Sequence, residues 1–255
     1  MQGLNTQQIA ALRNDQLATL STKQIELLKT NQIMALGTAQ ISGLTTDQIK
    51  AIETGDLRLM KNSQIAALTD AQVSALENLQ IAAMTSSQIS ALTPDQIVDL
   101  KDSQILAIET NDLQAMKATQ IVSFSTGQIH ALSANQVKSL TTLQITKLTQ
   151  DQIGALESED IQAMSQEQIK VLLPNQVAAL TTEHIRALDT KGIQWLKANQ
   201  ISGLTAAQVQ ALSPGQIVAM LTEQFAAMGA TQVSALTTGQ INAMDGIDIA
   251  AIKTR

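Results

Sequence analysis

Four pairs of carboxylates recur at one spacing in this 255-residue chain: Glu53 with Asp56, Glu109 with Asp112, Glu157 with Asp160, and Asp245 with Asp248. Paired acids of this kind could collect Ca²⁺, which takes about six to eight oxygen ligands, with Thr54, Thr110 and backbone carbonyls close by in sequence. The same acids would also suit the positive end of a helix dipole. Lys61, Lys117 and Lys253 follow three of the pairs at the next equivalent position, and Lys197 follows a related variant, Asp189 with Gly192. A lysine there repels a cation and neutralises an exposed acidic face. No glycine-rich Ca²⁺-loop pattern accompanies the acids. The preferred reading is therefore structural, with Glu53, Asp56, Glu109, Asp112, Glu157, Asp160, Asp245 and Asp248 kept as candidate Ca²⁺ ligands.

Other chemistry is sparse. His130 and His184 lie far apart in the chain with no metal-ligand spacing between them, and there is no Cys. Disulfides, thiolate metal sites and cysteine catalysis are thereby excluded, and no convergent acid, base and nucleophile is in view. Trp195 is the one tryptophan, and a single ring is not a stacking platform. The chain reads as a non-enzyme with no cofactor.

These residues are departures from a repeat that runs from end to end. Of the 31 positions whose number is divisible by eight, 25 are Gln; the others are Asp56, Asp112, Asp160, His184, Gly192 and Asp248. The next position is always apolar, from Ile9 to Ile249, and so is the fourth after the Gln, from Leu12 to Ile252. The unit approximates T-T-x-Q-I-x-A-L, and no insertion breaks its register.

The period decides the geometry. Eight residues at about 100° each advance two turns and roughly 80° more, so one continuous helix would never gather its apolar stripe on one face. A coiled coil needs a period of about 3.5 or 3.67 residues. A strand would send the two apolar positions, three apart, to opposite faces. The chain must be reset once per octad, and the means of reset is visible. Thr or Ser three before the Gln makes a capping box, as in Thr45-Thr46-Asp47-Gln48 and Thr93-Pro94-Asp95-Gln96. Pro94, Pro174 and Pro214 all fall at the first helical position, where proline is favoured.

The expectation is an all-α solenoid of very short helices, one per octad, forming a single elongated domain over residues 1–255. Helices this short are far below the about 12–15 residues that are marginal in water, so they must stack on neighbouring coils. The Ile and Leu positions should face inward. Gln and the small residue should lie on the flank that meets the next coil. The position two after Gln, as at Lys50, Arg58, Ser74 and Lys138, should face outward. Two, three or four octads would each close a coil.

Composition bounds the partners. The net charge is −6, aromatic residues make up 1%, and no basic cluster occurs, which argues against nucleic acid. No apolar run reaches the about 18 residues of a membrane span. The N-terminus lacks the basic start and apolar block of a secretory signal. The repeat continues to both ends without a polar cap, so the chain is expected either to be part of a longer array or to self-associate end to end. Val98, Leu106 and Val122, apolar at outward positions, could mark a surface for a partner protein or polysaccharide.

Stretches such as Leu44-Thr45-Thr46-Asp47-Gln48-Ile49 and Leu180-Thr181-Thr182-Glu183 resemble the tandem octapeptide arrays within large secreted bacterial proteins of the RTX and adhesin kind. The likeness extends over nearly the whole chain. It implies a secreted or surface-associated bacterial array with a spacer or attachment role. The nonapeptide G-G-x-G-x-D calcium repeat of such proteins is missing, and no catalytic residue is carried over.

Overall fold

The computed structural model describes residues 3–252, and among them the only regular elements are helices of four to seven residues, one per octad. The corner between helices is built from extended backbone. Leu76 (φ −54°, ψ 142°) ends one helix, and Glu77 (φ −80°, ψ 154°) begins the next. The pattern recurs at Leu140 with Thr141 and at Leu172 with Leu173. No described residue has a positive φ. The corner therefore needs no glycine, and Lys, Glu or Leu can stand at the cap without backbone strain.

Ser and Thr caps behave as the sequence predicts. The Thr93 hydroxyl accepts the Gln96 N–H at 3.2 Å, while the Thr93 N–H donates to Gln96 Oε1 at 2.8 Å. Where the cap is Gly37, Lys101 or Leu173, only the glutamine half of the box is present. The helices run to about one and a half turns, shorter than the two turns that eight residues would allow, because the remaining residues of each octad form the corner.

The chain divides into two compact units, Met1–Ala131 and Leu132–Arg255. Within the first, helix Thr6–Ala10 packs on Thr30–Ala35, which packs on Thr54–Leu59, Asn78–Ala83, Asp102–Ala107 and Thr126–His130 in turn. Within the second, the column Ala134–Ser139, Ser158–Ala163, Thr182–Ala187, Ala206–Ala211 and Ala230–Ala235 is built alike. Successive members of a column are every third helix of the chain, so three octads complete a coil of the solenoid.

The core is the repeat itself. Ile97, Val137 and Ile185 are fully buried, and Leu92, Leu140 and Leu188 nearly so. Each supplies apolar area that an isolated five-residue helix could not remove from water. Lys50, Arg58 and Lys138 are exposed, as their position requires, whereas Ser74 is half-buried.

Candidate functional site

The residue type that repeats most strictly also makes the most specific contacts. From the second coil onward the glutamines are buried: Gln64 and Gln88 are 1% exposed and Gln200 is 0%. A buried carboxamide must find partners for both its oxygen and its nitrogen. Gln208 shows how. Its Oε1 accepts the Thr205 N–H at 2.7 Å, and its Nε2 donates to the carbonyls of Val177 at 2.8 Å and Leu180 at 2.6 Å. These carbonyls end a helix of the previous coil, 31 and 28 residues earlier. Gln48, Gln72, Gln128 and Gln240 repeat the arrangement. One side chain thus caps the N-terminus of its own helix and the C-terminus of another. It is a clamp on the seam between coils, and no buried side-chain polar atom among the described residues lacks a partner.

The aspartates that replace Gln occupy the same seam. Asp is too short to reach the two carbonyls and has no donor. Its carboxylate instead accepts a hydroxyl from the helix one coil earlier: Thr30 to Asp56 at 2.6 Å, Ser86 to Asp112 at 2.5 Å, and Thr222 to Asp248 at 3.0 Å. The hydroxyl beside Asp56 belongs to Thr30 and not to its sequence neighbour Thr54. In all three pairs the donor stands 26 residues earlier. Where that position is Ala134, Asp160 accepts the N–H of Glu157 instead, at 2.8 Å. Glu53 and Glu109 are exposed caps whose side chains make no cap bond. Asp245 caps its helix by accepting the Ile247 and Asp248 N–H groups at 2.8 Å. Among the described residues, no three His, Cys, Asp or Glu side chains converge as metal ligands. Lys61, Lys117 and Lys197 are exposed caps, and Lys253 lies outside the described residues. The ion pairs Arg13–Asp15, Lys23–Glu26, Lys50–Asp47 and Arg186–Glu183 are local and exposed, a class that contributes little to stability.

His184 stands in for Gln and imitates it. Its Nδ1 accepts the Thr181 N–H at 3.1 Å, and its Nε2 lies 2.8 Å from the Leu156 carbonyl. The backbone N–H can only donate and the carbonyl can only accept, so the ring is neutral with its proton on Nε2. Burial holds its pKa below the ordinary value, while the Leu156 carbonyl, Glu183 and Glu157 pull the other way. At Gly192 no clamp is possible; Asp189 accepts the Gly192 N–H at 2.6 Å, and Trp195 is half-buried nearby in the same helix. His130 lies at an exposed outward position.

A shallow groove is lined by Asn62, Ser86, Ser87, Ser90, Ala115 and Lys117. Two of its hydroxyls are already engaged, Ser86 with Asp112 and Ser90 with the Ala115 carbonyl at 2.8 Å. The destination of the glutamine nitrogens and the hydroxyl partners of the aspartates both escape a reading of single octads. The second leaves a sequence signal, a Ser or Thr placed 26 residues before Asp56, Asp112 and Asp248.

No curated protein matches the chain. The family model of the ALTTAQ repeat matches it five times, at residues 22–51, 49–86, 105–142, 153–190 and 214–246. Five of its six letters are legible in Ala235-Leu236-Thr237-Thr238-Gly239-Gln240, where Gly239 replaces the second Ala; they are the helix end, corner and clamp described above. With these matches spanning well over half its length, the chain belongs to the ALTTAQ repeat family.

Proposed function

We propose that this chain is a non-catalytic structural and interaction module, a spacer or presentation segment of a secreted or surface-associated bacterial protein. The observation that carries this reading is the use made of the repeated polar side chain. The glutamines, the best candidates for a repeated chemical site, are buried and bonded to backbone, which dedicates them to holding coils together. Membership of a repeat family supports a structural role. Quasi-one-dimensional repeats extend by adding like units, which suits a spacer.

Localisation tests the finer part of the reading. An antibody raised against the chain should label intact cells of its bacterial source or detect the protein in the medium. Signal confined to the cytosolic fraction overturns the secreted assignment. A second reading, a solenoid that binds a partner protein or polysaccharide, draws on the exposed side chains of Val98 and Leu106. Glycan or protein arrays probed with the full chain distinguish the two. Binding abolished by Val98→Ser with Leu106→Ser favours the second.

A further inference from the structure

The clamps join into chains. Gln96 Nε2 donates to the Leu68 carbonyl at 2.6 Å, and the N–H of the same peptide, that of Thr69, donates to Gln72 Oε1 at 2.8 Å. Gln72 Nε2 then donates to the Leu44 carbonyl at 2.7 Å, and the Thr45 N–H of that peptide to Gln48 Oε1 at 2.9 Å. Carboxamide and peptide alternate, with every N–H pointing toward the earlier coil. Hydrogen bonds in such a chain polarise and strengthen one another. An uninterrupted seam is crossed by three chains, one per column. Asp in place of Gln interrupts one of the three, and at Asp56, Asp112 and Asp160 the octads on either side keep Gln. Only at His184 and Gly192 do two consecutive octads lack it.

Gln176, His184 and Gly192 hold one coil to the coil before it. Gln176 carries its chain through, from the Leu173 N–H at 2.8 Å to the Leu148 carbonyl at 2.8 Å. His184 carries a second, from the Thr181 N–H to the Leu156 carbonyl, and the Glu157 N–H of that peptide ends on Asp160. The third chain stops. On its later side Gln216 donates to the Leu188 carbonyl at 2.7 Å, and on its earlier side the Ser165 N–H donates to Gln168 at 2.8 Å. Between them Gly192 has no side chain to join the Asp189 N–H to the Met164 carbonyl.

We propose that this seam is a parting line built into the fold, the place at which the coils of residues 132–255 separate first, and that they separate more readily in mild acid. At the next seam all three chains are made, by Gln200, Gln208 and Gln216 to Leu172, Leu180 and Leu188. Apolar burial does not compensate: Ile185 and Ile193 are fully buried, like their equivalents elsewhere, so the polar ties make the difference. In an array whose stability sums over units and interfaces, opening begins where an interface is poorest. Acid acts through His184, because a second ring proton would set Nδ1–H against the Thr181 N–H and break the second chain. Helix Ser158–Ala163, on which the His184 helix packs, brings Glu159 and the buried Asp160, with Glu157 at its cap. Helix Ala206–Ala211, on the other side, carries no charge. The His184 helix itself supplies Glu183 and Arg186, which pair at 3.1 Å. Glu157 and Glu183 favour the charged ring, and burial outweighs them.

Trp195, the one tryptophan, stands on helix Thr190–Trp195 at this seam and reports on it. In urea, its emission should change before helical circular dichroism is lost. Hydrogen exchange read by mass spectrometry, each rate divided by that of the unstructured peptide, should show the same seam. Helices Thr182–Ala187 and Thr190–Trp195 should be protected about ten-fold less than Ser86–Ile89 and Pro94–Val98, whose clamps are complete. From about pH 7.5 to about pH 5.5 opening of the seam should rise by up to about ten-fold, since the lower value lies about one unit below free histidine. His184→Gln should abolish that rise. Gly192→Gln should make the fluorescence and dichroism transitions coincide; its Cβ meets Leu188 Cδ2 at 3.0 Å, the end of a side chain that can move. Should Gly192→Gln fail to fold, the wild-type exchange map and the pH response of His184→Gln decide alone. Coincident transitions with even protection in the wild type overturn the parting line. A pH response that survives His184→Gln overturns its acid sensitivity.

Discussion

The Nε2 of Gln96 donates to the carbonyl of Leu68, 28 residues earlier, at 2.6 Å, and to that of Ile65 at 3.2 Å. The oxygen of the same carboxamide accepts the Thr93 N–H at 2.8 Å. One planar group therefore ties the start of one helix to the end of another; a shorter, purely accepting side chain can keep the first tie, as Asp160 does with the Glu157 N–H, but not the second.

Truncating that clamp strands the Thr93 N–H and the Leu68 carbonyl in a buried place, while the Ile65 carbonyl keeps the Leu68 N–H. Gln96→Ala should cost about 3 kcal/mol, since each unsatisfied group costs roughly 1–3 kcal/mol. Gln8→Ala, at an exposed position with only the cap bond to lose, should cost less than about 1 kcal/mol. Urea titrations of the two variants check the contrast; equal losses would remove the seam from its role.

At Asp112 the clamp can be restored. Gln at this position would reach the Ile81 and Met84 carbonyls and the Glu109 N–H, giving up the single bond from Ser86. With a net gain of two hydrogen bonds, Asp112→Gln should stabilise the chain by about 1 kcal/mol, read as a rise in urea midpoint at unchanged m-value.

His184 predicts a pH dependence with a definite sign. Its folded-state pKa lies below the ordinary value of 6.5, first because burial penalises the charged ring. Protonation would also set an Nδ1–H against the Thr181 N–H. The unfolded chain then binds the proton first, and stability attributable to this residue is present above pH 6.5 and falls as pH drops below it. His184→Gln should remove this component. The stability difference between the variant and wild type should widen from neutral to mildly acid pH, and a constant difference would contradict the assignment.

Glycines divide into those that need to be small and those that do not. A Cβ on Gly203 would sit 2.8 Å from the Pro174 carbonyl oxygen, whereas one on Gly55 would meet nothing within 4 Å. Gly203→Ala should cost about 2 kcal/mol through overpacking against backbone. Gly55→Ala, inside helix Thr54–Leu59, should stabilise by about 0.5–1 kcal/mol. Thermal unfolding of both variants separates the two effects.

Much of this architecture is legible in one octad. Thr93, Pro94 and Gln96 announce a helix start because capping is a contact over three residues. Ile97 and Leu100 identify the inside because a period of eight permits no other common face. The family match follows from the same letters. The number of octads per coil was not accessible, because identical units look alike whether two, three or four complete a turn. Packing of whole helices decided it, since each helix rests on the third one along the chain. The fate of the amide nitrogen was hidden for the same reason. The partners of Gln96 lie 31 and 28 residues away, at Ile65 and Leu68, and nothing local distinguishes them. Asp56 illustrates the limit. Its charge and its neighbour Glu53 suggest a cation, while the three-dimensional coil supplies the Thr30 hydroxyl that its oxygen accepts. Local hydrogen bonds and periodicity are written in the order of residues; which distant backbone completes each polar group is decided only when the coils stack.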